Sequence, residues 1–494
     1  MYDVVIFQSP YTYTNEPSLA PALLKSCIEQ DGYTAYAWDY SGEFNYKYSK
    51  HEYFNNVTLW MQAPQTKLTI EQWNWYNNLI IECVERIISL GCKYCAISLL
   101  SYASQRFTED LCLQLKLRAP HIKIILGGGG TSIFQYQFQK KWHDLMLESK
   151  LADTVLIGEG EYAFGRIIKE DLRGLVTEQL LPNLKFEQIP FPNYDDYDFS
   201  IYDSTGLYGS KHGELSKLIL NITSSKGCVK SCTFCDVARI WSKFRFRSGS
   251  RVAEEIIYLH KKYGVEAFSF TDSLINGGMR PFYEMNEILA ERLPRQIKYY
   301  GQFIFRGRKD MPEKYFESMS RAGCDIVNIG LESGSEAVRN HMGKGSSDDD
   351  VAYSAEMLYK YGMRQVWNII VGYPTETEED FQKTLDLVSY WVPHSNKTIK
   401  ISPVGTFLML DSTPIMDREY QEQLQIKQNI ISGYKSFAWE SPNNTFEMRV
   451  DRYFRLCDLL IKLDSDRTSE IEKKKFRVQQ QIDLYNETKL QTAA

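Results

Sequence analysis

Three cysteines lie close together in the stretch GCVKSCTFCD, residues 227–236. Cys228, Cys232 and Cys235 have the spacing C-x-x-x-C-x-x-C. A chain of 494 residues can bury a sizeable core without crosslinks, so stability alone does not require thiols at this density. Because thiolates bind zinc and iron–sulfur clusters, the spacing indicates a metal site, with buried packing and a redox pair as the plainer alternatives.

The number of thiols helps to choose between the metals. Structural zinc usually has four protein ligands in two pairs, and no fourth Cys or His lies near this triple in the sequence. Iron–sulfur clusters are commonly held by four Cys thiolates, so three thiolates would leave one iron of a 4Fe-4S cluster open to a ligand from outside the protein. The triple therefore favours such a cluster over zinc.

Strand-like and helix-like patterns alternate around the cysteines, and the helical stretch 251–264 is one example. The strand candidates are residues 217–225, 265–272, 297–305, 325–333, 364–374 and 398–407. Six β/α units predict a partial barrel, whose chemistry gathers at the carboxyl ends of the strands. The cysteine stretch follows the first of these strands directly.

An earlier alternating series predicts a second parallel sheet. Its strand candidates are residues 2–10, 33–40, 94–101, 123–130 and 152–161, and residues 41–68 have the composition of an insertion. Helices between parallel strands predict a Rossmann-like doubly wound domain with right-handed crossovers. We therefore predict an α/β protein with a Rossmann-like domain (1–169), a connector (170–215), a partial barrel (216–407) and a mainly helical C-terminal region (408–494).

Composition limits the possible partners. The net charge of −6 argues against a dedicated nucleic-acid surface. No apolar run reaches the length of a membrane span, and the amino terminus has the pattern of a strand instead of a secretion signal. We therefore expect a cytoplasmic protein with reduced thiols, no membrane partner and no nucleic-acid partner.

The cysteine stretch resembles the radical S-adenosylmethionine superfamily, whose signature has this spacing with an aromatic residue before the third cysteine. Phe234 has that position. The resemblance implies that Cys228, Cys232 and Cys235 hold a catalytic 4Fe-4S cluster, which Phe234 shields from water. S-adenosylmethionine would bind the open iron, and one electron would cleave it to a 5'-deoxyadenosyl radical that removes hydrogen from unactivated carbon.

Further segments of the predicted barrel resemble cofactor-contacting segments of the same family. The resemblance places Asp272 near the amino group of S-adenosylmethionine and Glu332 near its ribose or amino group. Gln302 and Arg306 would contact its carboxylate or ribose, and Gly372 would allow close backbone approach near the adenine. A helix cap or a solvated loop is the plainer interpretation of each acidic residue.

The amino-terminal half resembles the cobalamin-binding domain that precedes the barrel in one subgroup of the superfamily. The resemblance rests on QSP, SLLSYAS, ILGGGGTS and IGEGEYAF, each at a predicted strand end, where open α/β sheets bind ligands. It implies that the macrocycle rests on glycine backbone and that hydroxyls contact the dimethylbenzimidazole nucleotide tail or the corrin amides. The candidate cobalamin-binding residues are Ser9, Ser98, Ser101, Gly127, Gly128, Gly129, Thr131 and Glu159.

One departure concerns the cobalt ligand. The Asp-x-His-x-x-Gly motif of many cobalamin proteins is absent, and His121 precedes the fourth predicted strand. Members of the subgroup commonly lack that histidine, and some relatives keep the fold without cobalamin. A purely structural Rossmann domain therefore stays open as an alternative.

Together the resemblances imply a cobalamin-dependent radical enzyme that methylates an unactivated carbon of a small molecule. An external electron donor, such as a flavodoxin or a ferredoxin, would reduce the cluster. The alternatives are a radical cyclase, a rearrangement or another C–H functionalisation, and a non-catalytic sensor of cobalamin or S-adenosylmethionine. Sulfur insertion ranks lower because it normally needs a second cluster, and only one cysteine triple is present.

Overall fold

A computed structural model of the chain shows two compact units, Met1–Asn221 and Ile222–Ala494. It describes residues 1–10, 15–63, 66–135, 140–177, 186–204, 218–241, 243–410, 413–428 and 438–493. Parts of the predicted connector, residues 178–185 and 205–215, therefore lie outside the described residues. Within the described residues, no helix combines the length and the apolar character that crossing a membrane requires.

The first unit contains a parallel six-stranded sheet. Its strands are β1 (Val4–Gln8), β2 (Ala35–Trp38), β3 (Tyr94–Ser98), β4 (Lys123–Gly127), β5 (Thr154–Ile157) and β6 (Gly174–Thr177), in the order β2-β1-β3-β4-β5-β6. All neighbouring strands are parallel, which confirms the Rossmann-like prediction. Strand β6 was not predicted, because GLVT is too short to show a strand pattern next to the proline-rich stretch.

Helices cover both faces of this sheet. They are α1 (Leu19–Gln30), α2 (Tyr40–Tyr48), α3 (Phe54–Gln62), α4 (Ile70–Ser89), α5 (Gln105–Arg118), α6 (Trp142–Glu148) and α7 (Gly160–Glu170). Successive strand residues point to opposite faces, so Val5 packs into one apolar core and Val4 into the other. Helices α2 and α3 occupy most of the stretch predicted as an insertion, and they bury Phe44 and Trp60 in the first of these cores.

The strand order of the first sheet reverses beside β1, because β2 lies on one side of it and β3 on the other. Open α/β sheets bind ligands outside the carboxyl ends of their strands at such a point. The loop after β4 packs closely on the loop after β3 there. A Cβ on Gly128 would lie 2.2 Å from Leu99 O, and one on Gly130 would lie 2.7 Å from Ser101 O.

The second sheet also has six strands. They are β7 (Ile219–Ile222), β8 (Ala267–Phe270), β9 (Lys298–Phe303), β10 (Cys324–Glu332), β11 (Arg364–Val371) and β12 (Ile399–Thr406). Their spatial order follows the chain from β7 to β12, and the pairs from β8 to β12 are parallel. This open sequence of β/α units confirms the predicted partial barrel, and it brings the carboxyl ends of all six strands to one edge.

Ten helices of the second unit lie in the described residues. They are α8 (Val237–Ile240), α9 (Gly249–Tyr263), α10 (Met279–Arg292), α11 (Glu313–Ala322), α12 (Glu336–His341), α13 (Asp348–Lys360), α14 (Glu378–His394), α15 (Arg418–Gln423), α16 (Phe446–Leu463) and α17 (Thr468–Ala493). Helices α16 and α17 pack against each other and against β12. The C-terminal region is therefore mainly helical, as predicted, and it belongs to the same compact unit as the partial barrel.

Candidate functional site

The two ends of the cysteine loop lie next to each other in the second unit. Residues Ser225–Lys226, just before the loop, pair antiparallel with Arg245–Phe246, just after it. Gly227 begins the loop with φ of +85°, a conformation that L-residues rarely adopt. The three cysteines are therefore carried on an excursion whose two ends are fixed to each other.

Asp272 fastens the chain immediately before this loop. Its carboxylate accepts hydrogen bonds from Ser224 N (2.9 Å), Ser224 Oγ (2.6 Å) and Ser225 Oγ (2.6 Å). The side chain is buried, and burial raises the pKa of Asp272 to about 6 despite the hydrogen bonds, which lower it. The contacts of Asp272 in this structure thus hold the first strand end, and its predicted contact with a cofactor amino group stays a prediction.

The three thiols differ in exposure. Cys232 is buried, whereas Cys228 and Cys235 are partly buried. Burial raises the pKa of the Cys232 thiol to about 11, although the Lys344 ammonium lowers it, and burial also raises the pKa of Cys235. Since metals bind thiolates, cluster assembly here must displace protons from the buried thiols.

The three thiols interact electrostatically with one another, so they lie close together. Among the described residues, no three His, Cys, Asp or Glu side chains are placed to share a single metal ion. A 4Fe-4S cluster does not need such convergence, because each thiolate binds a different iron. The donor set on this loop therefore fits a cluster.

The segment between the second and third cysteines is held firmly. Thr233 N donates to Met342 O (3.0 Å), and the Thr233 hydroxyl lies 2.9 Å from the Tyr373 hydroxyl. The adjacent Phe234 packs at the edge of an apolar cluster and meets Phe407 edge-on at 6.4 Å between centroids. Phe234 thus joins the thiol loop to an apolar core, and its role in shielding a cluster from water stays a prediction.

Glu332 forms a buried ion pair at the end of β10. Its Oε1 lies 2.9 Å from Lys344 Nζ, and both side chains are largely buried. Glu332 has φ of +67°, and the register between β10 and β11 shifts between Gly330 and Glu332. A Cβ on Gly330 would lie 2.3 Å from Glu332 Oε1 and 2.5 Å from Lys344 Nζ, so a side chain at this position would displace the ends of the paired side chains. Such strain clusters at functional sites.

Lys344 lies beside the thiol loop, a position that the sequence did not predict. Burial lowers its pKa, but Glu332 and the thiols of Cys232 and Cys228 together raise the pKa above its ordinary value. Its ammonium also lies 5.8 Å from the centroid of the Phe234 ring. The flanking Gly343 and Gly345, both with positive φ, were a signal that this lysine sits in a tight turn.

The two candidates at the end of β9 differ in environment. The side chain of Gln302 is exposed, so it is free to meet a ligand at the strand ends. Arg306 is partly buried and donates to Asn276 O from Nε (3.1 Å) and Nη2 (2.9 Å). Burial lowers the pKa of Arg306, and the nearby Cys228 opposes that shift, so this guanidinium belongs to the surroundings of the thiol loop.

Gly372 permits a close approach by a protein side chain. It has φ of +82°, and a Cβ there would lie 2.3 Å from Cγ of Arg449. Its N–H donates to Glu376 Oε2 (2.7 Å), and burial raises the pKa of Glu376 to about 7. The space beside Gly372 is therefore taken by Arg449, and its proposed approach to an adenine stays a prediction.

In the first unit, a cavity of about 150 Å³ opens at the carboxyl ends of the central strands. Ile6, Ile97, Ser98, Gly127 and Phe164 are among its lining residues, and most of the lining is apolar. A Cβ on Gly127 would meet nothing nearer than Leu156 O at 4.0 Å, so this glycine faces free space. An apolar cavity of this size accommodates a benzene-sized ring.

The other predicted residues of this edge serve mainly the loops themselves. The hydroxyl of Ser9 is buried against Thr108 Oγ1 (2.9 Å), and Thr131 Oγ1 donates to Gly128 O (2.8 Å). The structure places Ser101 and Gly129 in the loops after β3 and β4, whereas Glu159 precedes α7 and is buried. Ser98 and Gly127 are therefore the predicted residues that line the cavity, together with Gly128.

Comparisons with known proteins agree with this architecture. Residues 222–388 match the family model of the Radical SAM superfamily. An uncharacterized methyltransferase of Pyrococcus horikoshii is 26% identical over 263 residues, which is 49% of this chain and 53% of the relative. An anaerobic magnesium-protoporphyrin IX monomethyl ester cyclase of Synechocystis sp. is 25% identical over 343 residues, 65% of this chain and 64% of the relative. The chain thus spans about half to two thirds of these relatives.

The fold is also similar to a solved structure. The cobalamin-dependent S-adenosylmethionine radical enzyme OxsB, with aqua-cobalamin bound, aligns with a TM-score of 0.66. The alignment covers 97% of this chain and 72% of that protein at 14% identity. At this identity the likeness concerns the fold.

The raised pKa of Asp272 predicts a pH-dependent stability. The unfolded carboxyl ionises near 3.8 and the folded one near 6, so the folded state keeps the proton longer. The contribution of this group to the free energy of unfolding is fully present well below pH 3.8 and is lost as the pH rises through 6, by about 3 kcal/mol in all. We expect the stability difference between wild type and D272N, measured by urea unfolding, to change by about 2–3 kcal/mol between pH 4 and 7. D386N, at an exposed position, is the control, and an unchanged difference for D272N would contradict the assignment.

Removal of Lys344 is expected to leave a buried carboxylate without its partner. K344M should lower the free energy of unfolding of metal-free protein by about 3–5 kcal/mol, and the double variant E332Q/K344M should recover most of that loss. The matched control is K360M, which breaks the exposed pair with Glu313 and should cost less than about 1 kcal/mol. A double variant as unstable as K344M would argue against the pair.

Proposed function

Because residues 222–388 match the Radical SAM superfamily, we propose that this chain is a cobalamin-dependent radical S-adenosylmethionine enzyme that methylates an unactivated carbon of a small molecule. The thiol loop carries the proposal. It follows the first strand of the partial barrel, is closed at its base by a short antiparallel ribbon, and brings a buried lysine beside its thiols. A loop used only for packing would need neither the spacing nor the cation.

The cofactors supply the reactive chemistry. When bound, a reduced 4Fe-4S cluster would cleave S-adenosylmethionine to a radical that removes hydrogen from unactivated carbon, and cobalamin would carry the methyl group. Cys228, Cys232 and Cys235 would hold the cluster. The Lys344 ammonium stabilises negative charge on the thiol loop, and Phe234 keeps an apolar surface beside it.

The cavity of the first unit supports the assignment of cobalamin. Its apolar lining and its volume of about 150 Å³ fit the aromatic end of the nucleotide tail, not the whole macrocycle. It lies where the strand order reverses, which is the ligand position of open α/β sheets. The fold likeness to a cobalamin-dependent enzyme supports the same assignment.

Oxidative cyclisation is the second candidate reaction. It is favoured by the similarity to a magnesium-protoporphyrin IX monomethyl ester cyclase over 65% of this chain, a longer match than the 49% shared with the methyltransferase. Both reactions begin with hydrogen removal from carbon, and the same thiol loop serves either. Product analysis distinguishes them, because only methylation transfers a labelled methyl group from S-adenosylmethionine to the product.

We expect anaerobically reconstituted protein to contain about four iron atoms per chain and, with dithionite, to release 5'-deoxyadenosine from S-adenosylmethionine. C232A should lose most of the iron and at least about tenfold in 5'-deoxyadenosine release, because one cluster ligand is missing. C27A, which removes a buried thiol of α1, should retain both properties and is the control. Full iron loading without 5'-deoxyadenosine would support a sensor, and unchanged behaviour of C232A would refute the cluster.

A glycine series tests cobalamin binding. Hydroxocobalamin should bind the full chain at one equivalent, and G127L should weaken this binding by at least about tenfold because its side chain enters the cavity. G127A adds a single methyl group to free space and should bind nearly as wild type does. Equal binding by G127L and wild type, in protein that unfolds cooperatively, would remove the cavity from the cobalamin site.

A further inference from the structure

The second unit holds a cavity of about 330 Å³ next to the thiol loop. Its wall is mainly apolar and includes Phe234, Ile370, Val404, Phe407, Leu408, Leu410 and Val478. Phe234 stands directly before Cys235, so the cavity adjoins the loop assigned to the cluster. Ligand sites of small molecules typically have about 300–1,000 Å³, so the volume suits a small substrate.

Helix α17 presents an unusual face to this cavity. Lys474, Arg477, Val478 and Gln481 line it, and their spacing of i, i+3, i+4 and i+7 places them on one face of the helix. The inner face of a packed helix is normally apolar. Here it carries two cations and an amide, and none of the described residues that line the cavity is acidic. The face of α17 at the cavity therefore presents basic groups to a ligand.

Two polar atoms at the cavity have no protein partner. Thr406 is 4% exposed, and among the described residues its Oγ1 forms no hydrogen bond. The same holds for Gln481 Oε1 within the described part of the chain. Buried polar groups are normally hydrogen-bonded, so an exception that lines a cavity indicates a ligand that completes it.

The two cations, Lys474 and Arg477, differ in the contacts that they make. Lys474 Nζ lies 3.1 Å from Ser402 Oγ and 3.6 Å from Glu470 Oε1, so it is held in place. Arg477 is exposed and makes no ion pair within the described ranges, and its guanidinium can form bidentate bonds with a carboxylate or phosphate. A lysine held in place and an exposed arginine one helical turn apart could together bind one acidic group.

We infer that this cavity is the substrate site and that the substrate is an amphipathic anion. Its apolar body lies against Phe234 and Val478, and its carboxylate or phosphate binds Arg477 and Lys474. Thr406 and Gln481 supply further hydrogen bonds. This inference rests on the proposed function, since it places the substrate beside the loop that holds the cluster.

Two fluorescent probes with the same aromatic skeleton test the inference. 8-Anilinonaphthalene-1-sulfonate carries an acidic group, and N-phenyl-1-naphthylamine lacks it. The reconstituted full chain, without reductant, should bind the anionic probe at one equivalent and at least about tenfold more tightly than the neutral one. V478W, which fills the cavity, should abolish binding of both probes. Equal affinity for the two probes, or binding unaffected by V478W, would overturn the inference.

Charge variants locate the acidic group. R477M/K474M should lower the affinity for the anionic probe by about tenfold or more, and its affinity for the neutral probe should stay within about twofold of that of wild type. K473M, a cation on the same helix that does not line the cavity, should change neither. An equal effect of K473M, or an equal loss of both probes in R477M/K474M, would refute the site. Displacement by 2-naphthoate or by 2-naphthyl phosphate separates a carboxylate-preferring from a phosphate-preferring site.

The outcome is independent of catalysis. Probe binding requires neither reductant nor S-adenosylmethionine, so it tests the cavity alone. Failure of wild type to form 5'-deoxyadenosine would sink the proposed function, whereas failure of the charge variants to discriminate the probes would sink only the substrate class.

Discussion

The electrostatic balance around the thiol loop is the constraint on which the second unit depends. Three thiols, which cluster binding would convert to thiolates, lie in a largely buried region with a carboxylate, and buried charges are stable only when they are paired. Lys344 supplies the positive charge: its ammonium contacts Glu332 and lies near the thiols. The lack of a side chain at Gly330 leaves the ends of the two paired side chains undisturbed, and the contact forms where the backbone of Glu332 is left-handed.

A second set of contacts, all of them hydrogen bonds, holds the loop in position. Asp272 binds the chain before the loop through two serines, and Thr233 binds its middle to the segments around Met342 and Tyr373. These contacts come from β8, α12 and the end of β11, so several strands of the barrel share the positioning of one short excursion. This distribution suits a catalytic loop, whose ligands must be held to small tolerances by rigid elements.

Much of this arrangement could be predicted from the sequence. The thiol spacing, the alternation of strands and helices, and the glycines after strand ends are local patterns, and local patterns survive folding. Lys344 was not predicted because no local sequence pattern links it with the cysteines, which lie more than a hundred residues earlier in the chain. Asp272 was placed correctly at a strand end, but its bonds to Ser224 and Ser225 depend on the pairing of two strands. The polar inner face of α17 was not predicted, because only the packed helix shows which side meets the cavity.

The short antiparallel ribbon at the base of the thiol loop holds the two ends of the loop together. Because the ends are paired with each other, the loop between them can change its length without moving the strands on either side. Lengthening such a closed excursion costs only about 0.6 kcal/mol per doubling. The spacing of the metal-binding groups can therefore change, in evolution or by design, while the strands of the barrel keep their positions.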